Sequence, residues 1–342
     1  LIMKEKLISF CVPSYNSEAY LHRALDSLVP GGEKVEILVI DDGSKDRTLE
    51  IALEYQEKYP GIVKAVHQEN KGHGGAINTA LSLASGRYFK VVDSDDFVEK
   101  DGLSALLKAR EDHRDLDRIL RPYTYRHGEE RKKGKTIRYG FFVKKDTVVS
   151  IGEIKRFDAA RNLTLHSVVY STSLLRDKAK LVLPEHCFYE DNYRIYAPLP
   201  FIKKLRYIDV PFYQYLLGRE GQSRQTNNLI KRNKDLRHVA FLSFQSVSLP
   251  KRKKTERQLY KLRKHQLIRM VTAPLLYTSR KDKAACKTEK GEFLRRRKDD
   301  DLKQYKRLVR HPFVFFPSRN NAFGRISARF SLFVIRKFGA IN

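Results

Sequence analysis

Residues 89–100 read FKVVDSDDFVEK, and the fold turns on how the middle of that stretch is read. Tyr88 to Val92 is apolar enough for a buried strand, so Asp93 and Asp95 fall where that strand exits. Open α/β sheets bind ligands at the carboxyl ends of their strands. Two carboxylates one residue apart on extended backbone can face the same way. They repel unless a cation or a donor lies between them, and hard divalent cations take oxygen ligands. An acidic turn and a metal site are both compatible with this stretch alone.

Working outward, the same arrangement recurs. Lys6 to Val12 is a predicted strand followed by the turn PSYNS, with a helix over Glu18–Leu28. Val35 to Ile40 is a second strand, ending in DDGS, with a helix over Asp46–Tyr59. Ile62 to His67 is a third strand, followed by the glycine-rich NKGHGG and a helix over Ala76–Ala84. Strands alternating with helices of this length indicate βαβ units and a parallel sheet. Three polar loops, PSYN, DDGS and DSDD, then share one rim.

Beyond about Leu116 the alternation weakens. RILRPYTYRH and KTIRYGFFV are predicted strands joined by the charged hairpin GEERKKGK. A strand over Leu165–Tyr170, a helix over Asp191–Pro198 and a tyrosine-rich strand over Leu205–Tyr215 follow. From Asn227 the pattern turns helical and basic. KRKKTER, after Pro250, is read as a linker or an exposed helix start.

The 342 residues carry a net charge of +28 and are 41% hydrophobic. From Lys231 onward there are 31 Lys and Arg against 8 Asp and Glu, so the first 230 residues hold only 5 of that surplus. Such a region suits an anionic partner, either nucleic acid or an anionic membrane. No apolar run approaches the roughly 18 residues of a membrane-spanning helix. LIMKEKL is too short and mixed for a signal peptide, and Met3 is read as a candidate start. Cys11, Cys187 and Cys286 have neither disulfide nor zinc spacing, which suits a reducing interior.

CVPSYN, VIDDGSKDRT, NKGHGGAIN, FKVVDSDD and FYEDN, in this order over roughly residues 6–225, resemble a family 2 glycosyltransferase with the GT-A fold. The resemblance implies an α/β Rossmann-like mixed sheet over 1–225, followed by a basic, mainly helical region over 226–342. It implies an inverting transfer of a hexosyl or N-acetylhexosaminyl group from a nucleotide-sugar donor, a UDP-sugar, to a glycan or lipid-linked acceptor. Pro13 and Tyr15 would lie at the donor base, with Tyr15 stacking on it. Asp42, with Asp41 beside it, would accept the base N–H. Asn70, Gly74 and Asn78 would lie against the nucleotide. Asp93 and Asp95 would hold Mn²⁺ or Mg²⁺, Ser94 between them would contact the nucleotide-sugar, and Asp96 would either touch the donor sugar or cap the next segment. Arg219 and Ser223 would meet the diphosphate. Asp191 would be the general base, with Glu190 and His166 on the acceptor side. Many relatives carry Arg where this chain has Ile77. His73 is a candidate for that role or for a turn cap.

Each motif has a plainer reading. Ser44 or Asp46 would cap a helix, and Glu190 and Asp191 would be first-turn acids suited to a helix dipole. A nucleic-acid binder would explain the basic region but not the acidic strand ends, and no zinc, helix-turn-helix or RNP pattern is present. A nucleotidyltransferase lacks its Gly-rich Arg/Lys signature near the first strand. No nucleic-acid partner is therefore expected. Phe323, Ile326, Phe330, Phe333, Val334 and Phe338 recur at helical spacing, with Arg325, Arg329, Arg336 and Lys337 largely between them. HPFVFFP precedes them. This basic amphipathic pattern predicts a peripheral location on the cytoplasmic face of a bacterial plasma membrane.

Overall fold

The computed structural model describes residues 5–112, 116–128, 132–141, 143–150, 153–154, 163–217 and 226–246. In the remainder it describes 264, 267–268, 270–276, 288–295, 306, 310–319, 321–323 and 326–328. Two compact units emerge. One holds residues 1–155, 163–187 and 201–220; the other holds 156–162, 188–200 and 221–342.

The first unit begins with β1 (Ile8–Ser14), α1 (Leu21–Leu28), β2 (Val35–Asp41), α2 (Thr48–Lys58), β3 (Val63–His67), α3 (Gly72–Leu83) and β4 (Tyr88–Val91). Each strand lies near its predicted place. All of β1 is buried. Each large apolar side chain fully buried there contributes about 1.5–3 kcal/mol. Leu21, Ala24, Leu25 and Leu28 give α1 a buried stripe at helical spacing. α3 starts earlier than predicted, because Gly74 and Gly75 are helical rather than loop. Its turn depends on Gly72, at φ +73°, where a Cβ would meet the His186 backbone nitrogen at 2.9 Å.

β5 (Phe97–Val98), α4 (Lys100–Asp112), β6 (Arg118–Leu120), β7 (Tyr123–His127), β8 (Lys132–Ile137), β9 (Val148–Ser150) and β10 (Val168–Ser171) follow. After the segment assigned to the other unit come β11 (Lys204–Tyr207) and β12 (Tyr213–Leu217). One eight-stranded sheet has the order β3-β2-β1-β4-β10-β6-β11-β9, and a four-stranded sheet has the order β5-β12-β7-β8. β1 pairs in parallel with both β2 and β4, whereas β10 runs antiparallel to β4. The sheet is thus mixed. The strand order reverses between β1 and β4, which is the switch point where such sheets open a crevice.

Two predicted strands are each cut in two. RILRPYTYRH becomes β6 in the large sheet and β7 in the small one, with Arg121 and Pro122 between them. The tyrosine-rich stretch becomes β11 and β12, with Pro211 between them. Proline has no N–H for a ladder, so a chain leaves a sheet readily there. β6 pairs in parallel with β11, and β7 with β12, so two neighbouring strands change sheet side by side. Arg121, buried at the crossing, donates to the Gly102 and Val210 carbonyls. β8 takes up part of the predicted hairpin loop, and the strand predicted through residue 143 ends at Ile137.

In the second unit, α5 (Glu190–Tyr196), α6 (Thr226–Lys231) and α7 (Asn233–Ser246) precede a short helix, Pro312–Ser318. Leu236, Leu276 and Ala328 form a buried cluster, with Tyr189, Leu229 and Ile230 packed against it. Arg237 pairs with Glu289 at 2.6 Å, and the Lys290 Nζ donates to the Pro317 carbonyl. Among the described residues, no helix is long and apolar enough to cross a membrane.

Candidate functional site

The loops after β1, β2 and β4 are laced to one another on the rim of the large sheet. The Asn16 N–H donates to Ser44 Oγ, and Asn16 Oδ1 accepts from the Lys45 N–H. The Ser17 N–H donates to Thr48 Oγ1, and Ser17 Oγ lies 2.8 Å from Ser94 Oγ. Asp46 accepts from the Thr48 N–H at the start of α2 and from the Glu18 N–H. Asp46 thus braces the backbone just before α2, while Ser44 ties two loops together. Ser94 stands between its aspartates as a strut.

At the β1 and β2 ends, Pro13 is buried within β1 opposite Ile40, and Tyr15 is 50% exposed just beyond it. Asp41 is buried. Its Oδ2 bonds His67 Nδ1 at 2.6 Å, and its Oδ1 accepts from the Ser44 N–H. Asp42 differs. Its Oδ1 accepts from Gln68 Nε2 at 2.6 Å and from the Lys71 N–H at 2.8 Å. Its Oδ2 has no hydrogen-bond partner among the described residues. Thr79 donates to Gln68 Oε1, which fixes the Gln68 amide as the donor toward Asp42. Asn70 Nδ2 donates to the Asp42 carbonyl at 2.9 Å, so Asn70 shapes the acidic turn.

Gly74 is buried in the first turn of α3. Asn78, expected against the nucleotide, is a correction. Its Nδ2 donates to the Leu183 carbonyl and its Oδ1 accepts from the Leu183 N–H, both at 2.9 Å. Both ends of the amide thus anchor the segment after β10. Ile77 is buried on the same helix. His73, in the first turn of α3, puts Nε2 3.2 Å from Asp93 Oδ1.

After β4 the carboxylates separate by environment. The Asp93 N–H donates to the Tyr213 hydroxyl at 3.1 Å. Arg23 donates to the Asp95 carbonyl. Asp96, expected at the donor sugar, is fully buried. Its Oδ2 accepts from Tyr213 Oη at 2.7 Å and its Oδ1 from the Leu216 N–H at 2.8 Å, so it pins β12 beneath the loop. Burial, then the charges of Asp95 and Asp93, push the Asp96 carboxyl well above its ordinary range. Burial, then the charges of Asp93 and Asp96, push the Tyr213 phenol up. Such crowded negative charge suits a hard divalent cation.

His166 was expected on the acceptor side. It instead lies with this loop: ligating atoms of Asp93, Asp96 and His166 are all within 4.8 Å of one another. Asp95 is not in that group. Arg219 and Ser223 lie outside the described residues. Glu190 and Asp191 occupy the first turn of α5, in the second unit. Glu190 is buried, and Asp191 Oδ1 accepts from Asn192 Nδ2 at 3.1 Å. Tyr189, just before them, has a left-handed backbone at φ +68°.

Sequence reading missed Gln68, His67 and Tyr213, whose roles depend on pairings far along the chain. His73 had a visible signal, as the one imidazole in the glycine-rich element. In the basic region, Phe323 and Ile326 are 55% and 63% exposed, and Phe315 and Phe316 of HPFVFFP are also exposed. Phe330, Phe333, Val334, Phe338 and all four interleaved basic residues lie outside the described residues, as does KRKKTER.

Comparison with known proteins agrees with this arrangement. The family model described as Glycosyl transferase family 2 matches residues 9–180. The chain is 43% identical over 102 residues to Glycosyltransferase GlyA of Streptococcus pneumoniae, covering 30% of this chain and 14% of that one. It is 41% identical over 105 residues to the poly(ribitol-phosphate) beta-glucosyltransferase of Bacillus spizizenii, covering 30% and 16%. Both matches are thus to a segment of a much longer protein. S. aureus TarS 1–349, solved in complex with UDP-GlcNAc, superposes with a TM-score of 0.65 over 97% of this chain and 92% of that chain. Its identity is 21%, a likeness of fold. With a GT-A sheet, acidic loops at its switch point and a family model matched over half its length, the chain belongs to glycosyl transferase family 2.

Proposed function

We propose that the chain is an inverting glycosyltransferase moving a hexosyl or N-acetylhexosaminyl group from a UDP-sugar to a hydroxyl of a glycan or lipid-linked acceptor. The observation that carries the reading is the meeting of three laced polar loops, two of them acidic, at the β1–β4 switch point. Tyr15 offers an exposed ring for the uracil. The remaining Asp42 oxygen accepts the uracil N3–H, its partner oxygen being held by Gln68 and Lys71.

Asp93 and Asp95 would hold Mn²⁺ or Mg²⁺. When bound, the cation supplies Lewis-acid stabilisation of the leaving diphosphate. Asp191 takes the proton from the acceptor hydroxyl as its oxygen bonds the anomeric carbon and the bond to UDP breaks. That single displacement inverts the configuration, and general-base help contributes about 10²–10⁴-fold. The TarS complex and the glucosyltransferase relative support a hexose or N-acetylhexosamine. The basic region, with its exposed aromatics, favours an anionic membrane surface bearing the acceptor.

The test is a panel of UDP-, GDP-, CMP- and dTDP-sugars with the full chain, in Mn²⁺, Mg²⁺ or EDTA, reading released nucleotide and thermal stabilisation. UDP-sugars alone should respond, and only with metal. Full turnover in EDTA removes the cation from the mechanism. No response to any nucleotide-sugar overturns the reading.

A further inference from the structure

Lys90 is a buried lysine in the middle of β4, two residues before the acidic loop. Its Nζ donates to the carbonyls of Leu165 at 2.7 Å and His166 at 3.1 Å. It also lies 4.6 Å from the centre of the Tyr213 ring. Burying an ammonium is costly unless its protons are used. Here they fix the backbone of one short turn, Leu165–Ser167. That turn is also closed by Ser167 Oγ, which bonds both the N–H and the carbonyl of Thr164. The His166 ring is packed among Tyr215 at 4.0 Å, Tyr213 at 4.8 Å and Tyr123 at 5.3 Å. A side chain held on so many sides has little rotamer freedom, and this one is held against Asp93 and Asp96.

We propose that His166 is a direct ligand of the divalent cation, alongside Asp93 and Asp96, and that Lys90 is the positioning residue that holds it there. The inference rests on the metal-assisted reading above; it adds a nitrogen donor and puts Asp96 in place of Asp95 as the second carboxylate. It has a chemical consequence. Mg²⁺ prefers oxygen ligands in near-ideal octahedral geometry, whereas imidazole suits later transition ions. A site of two carboxylates and one imidazole should prefer Mn²⁺ to Mg²⁺, and the preference should depend on His166. Lys90 donates to the two backbone carbonyls that flank the His166 Cα, so it orients the ligand through the backbone of its turn.

The experiment uses the full chain and reads metal binding rather than turnover. Free Mn²⁺ is measured by its EPR signal, with and without UDP, and Mg²⁺ by competition. His166→Asn should weaken Mn²⁺ about tenfold or more and Mg²⁺ by less than about threefold. Lys90→Met keeps the imidazole and should weaken Mn²⁺ about 10–100-fold, the range of lost outer-shell support, with partial rescue by Lys90→Arg. A role for Lys90 confined to fold stability would leave metal affinity of the folded variant unchanged. In case the variants do not fold, spin-echo spectroscopy of Mn²⁺ bound to the unaltered chain should reveal ¹⁴N coupling from an imidazole. That coupling should persist in His73→Asn. A folded His166→Asn chain with unaltered Mn²⁺ affinity, or bound Mn²⁺ without ¹⁴N coupling, overturns this inference alone. Failure of the unaltered chain to bind Mn²⁺ even with UDP overturns the metal-assisted reading together with it.

Discussion

Asp42→Asn is the sharpest single perturbation of the base site, because the structure dictates which way the new amide must turn. Oδ1 already accepts two protons, from Gln68 Nε2 and the Lys71 N–H. Gln68 cannot reverse, since its own oxygen accepts from Thr79. The oxygen of the new amide must therefore occupy the Oδ1 place, and its NH₂ must occupy the Oδ2 place. The loop keeps its internal bonds, so the fold should survive. The uracil N3–H then meets a donor instead of a carboxylate. A hydrogen bond to a charged group is worth about 1.5–3 kcal/mol. At about 1.4 kcal/mol per factor of ten, UDP should bind roughly 10–150-fold more weakly. Cytosine carries an acceptor at N3, so CDP should be unaffected or bind more tightly, and the preference for UDP should collapse. Calorimetric titration of UDP and CDP into both proteins measures this. A UDP affinity within about twofold of the unaltered chain would show that Oδ2 never meets the base.

Three further outcomes are expected. Tyr213→Phe removes the hydroxyl shared by the Asp93 N–H and the Asp96 carboxylate. Because the Asp96 carboxyl is raised in the folded state, the native chain holds that proton more tightly, and stability falls as pH rises from the unfolded carboxylate value toward the raised one. The lost bond served the ionised form, so without metal the fall in melting temperature should be larger at pH 8 than at pH 5; equal falls count against the geometry. Asp191→Asn should lower turnover by about a hundredfold or more with UDP affinity unchanged, whereas a collapse of UDP binding with normal residual turnover would make Asp191 a binding residue. In flotation with liposomes, the full chain should rise with anionic but not neutral lipid and be released by high salt, and a chain cut after Pro317 should rise less; equal recovery of both chains would reject the terminal segment as an anchor.

The alternating half of the fold was legible because its signals are local. β1 to β4 each show as an apolar run, and each of three ends in a polar loop within a few residues. The place of Asp42 in such a loop is what marked it as a candidate for the base. What stayed hidden depends on distant pairing. Nothing near Asn78 announces Leu183, and nothing near His166 announces the acidic loop, which is reached only because Lys90 and Tyr213 converge on it. The two sheet crossings were marked by Pro122 and Pro211. Yet a proline in an apolar run reads equally well as an edge-strand position, and only the pairing of β6 with β11 and β7 with β12 distinguishes the two.

The division of labour between Gln68 and Tyr213 also sets an order of assembly. Everything placed at the proposed base end (Tyr15, Asp42, Gln68, Asn70 and Lys71), together with the Thr79 hydroxyl that sets the Gln68 amide, is encoded by the end of α3. The carboxylate end is finished only when β12 arrives from residue 213 to slot between β5 and β7, bringing the hydroxyl that Asp93 and Asp96 share. A chain emerging from the ribosome, amino end first, can therefore shape the proposed base end before it can organise its carboxylates. Throughout that interval the acidic loop has no Tyr213 hydroxyl to hold it.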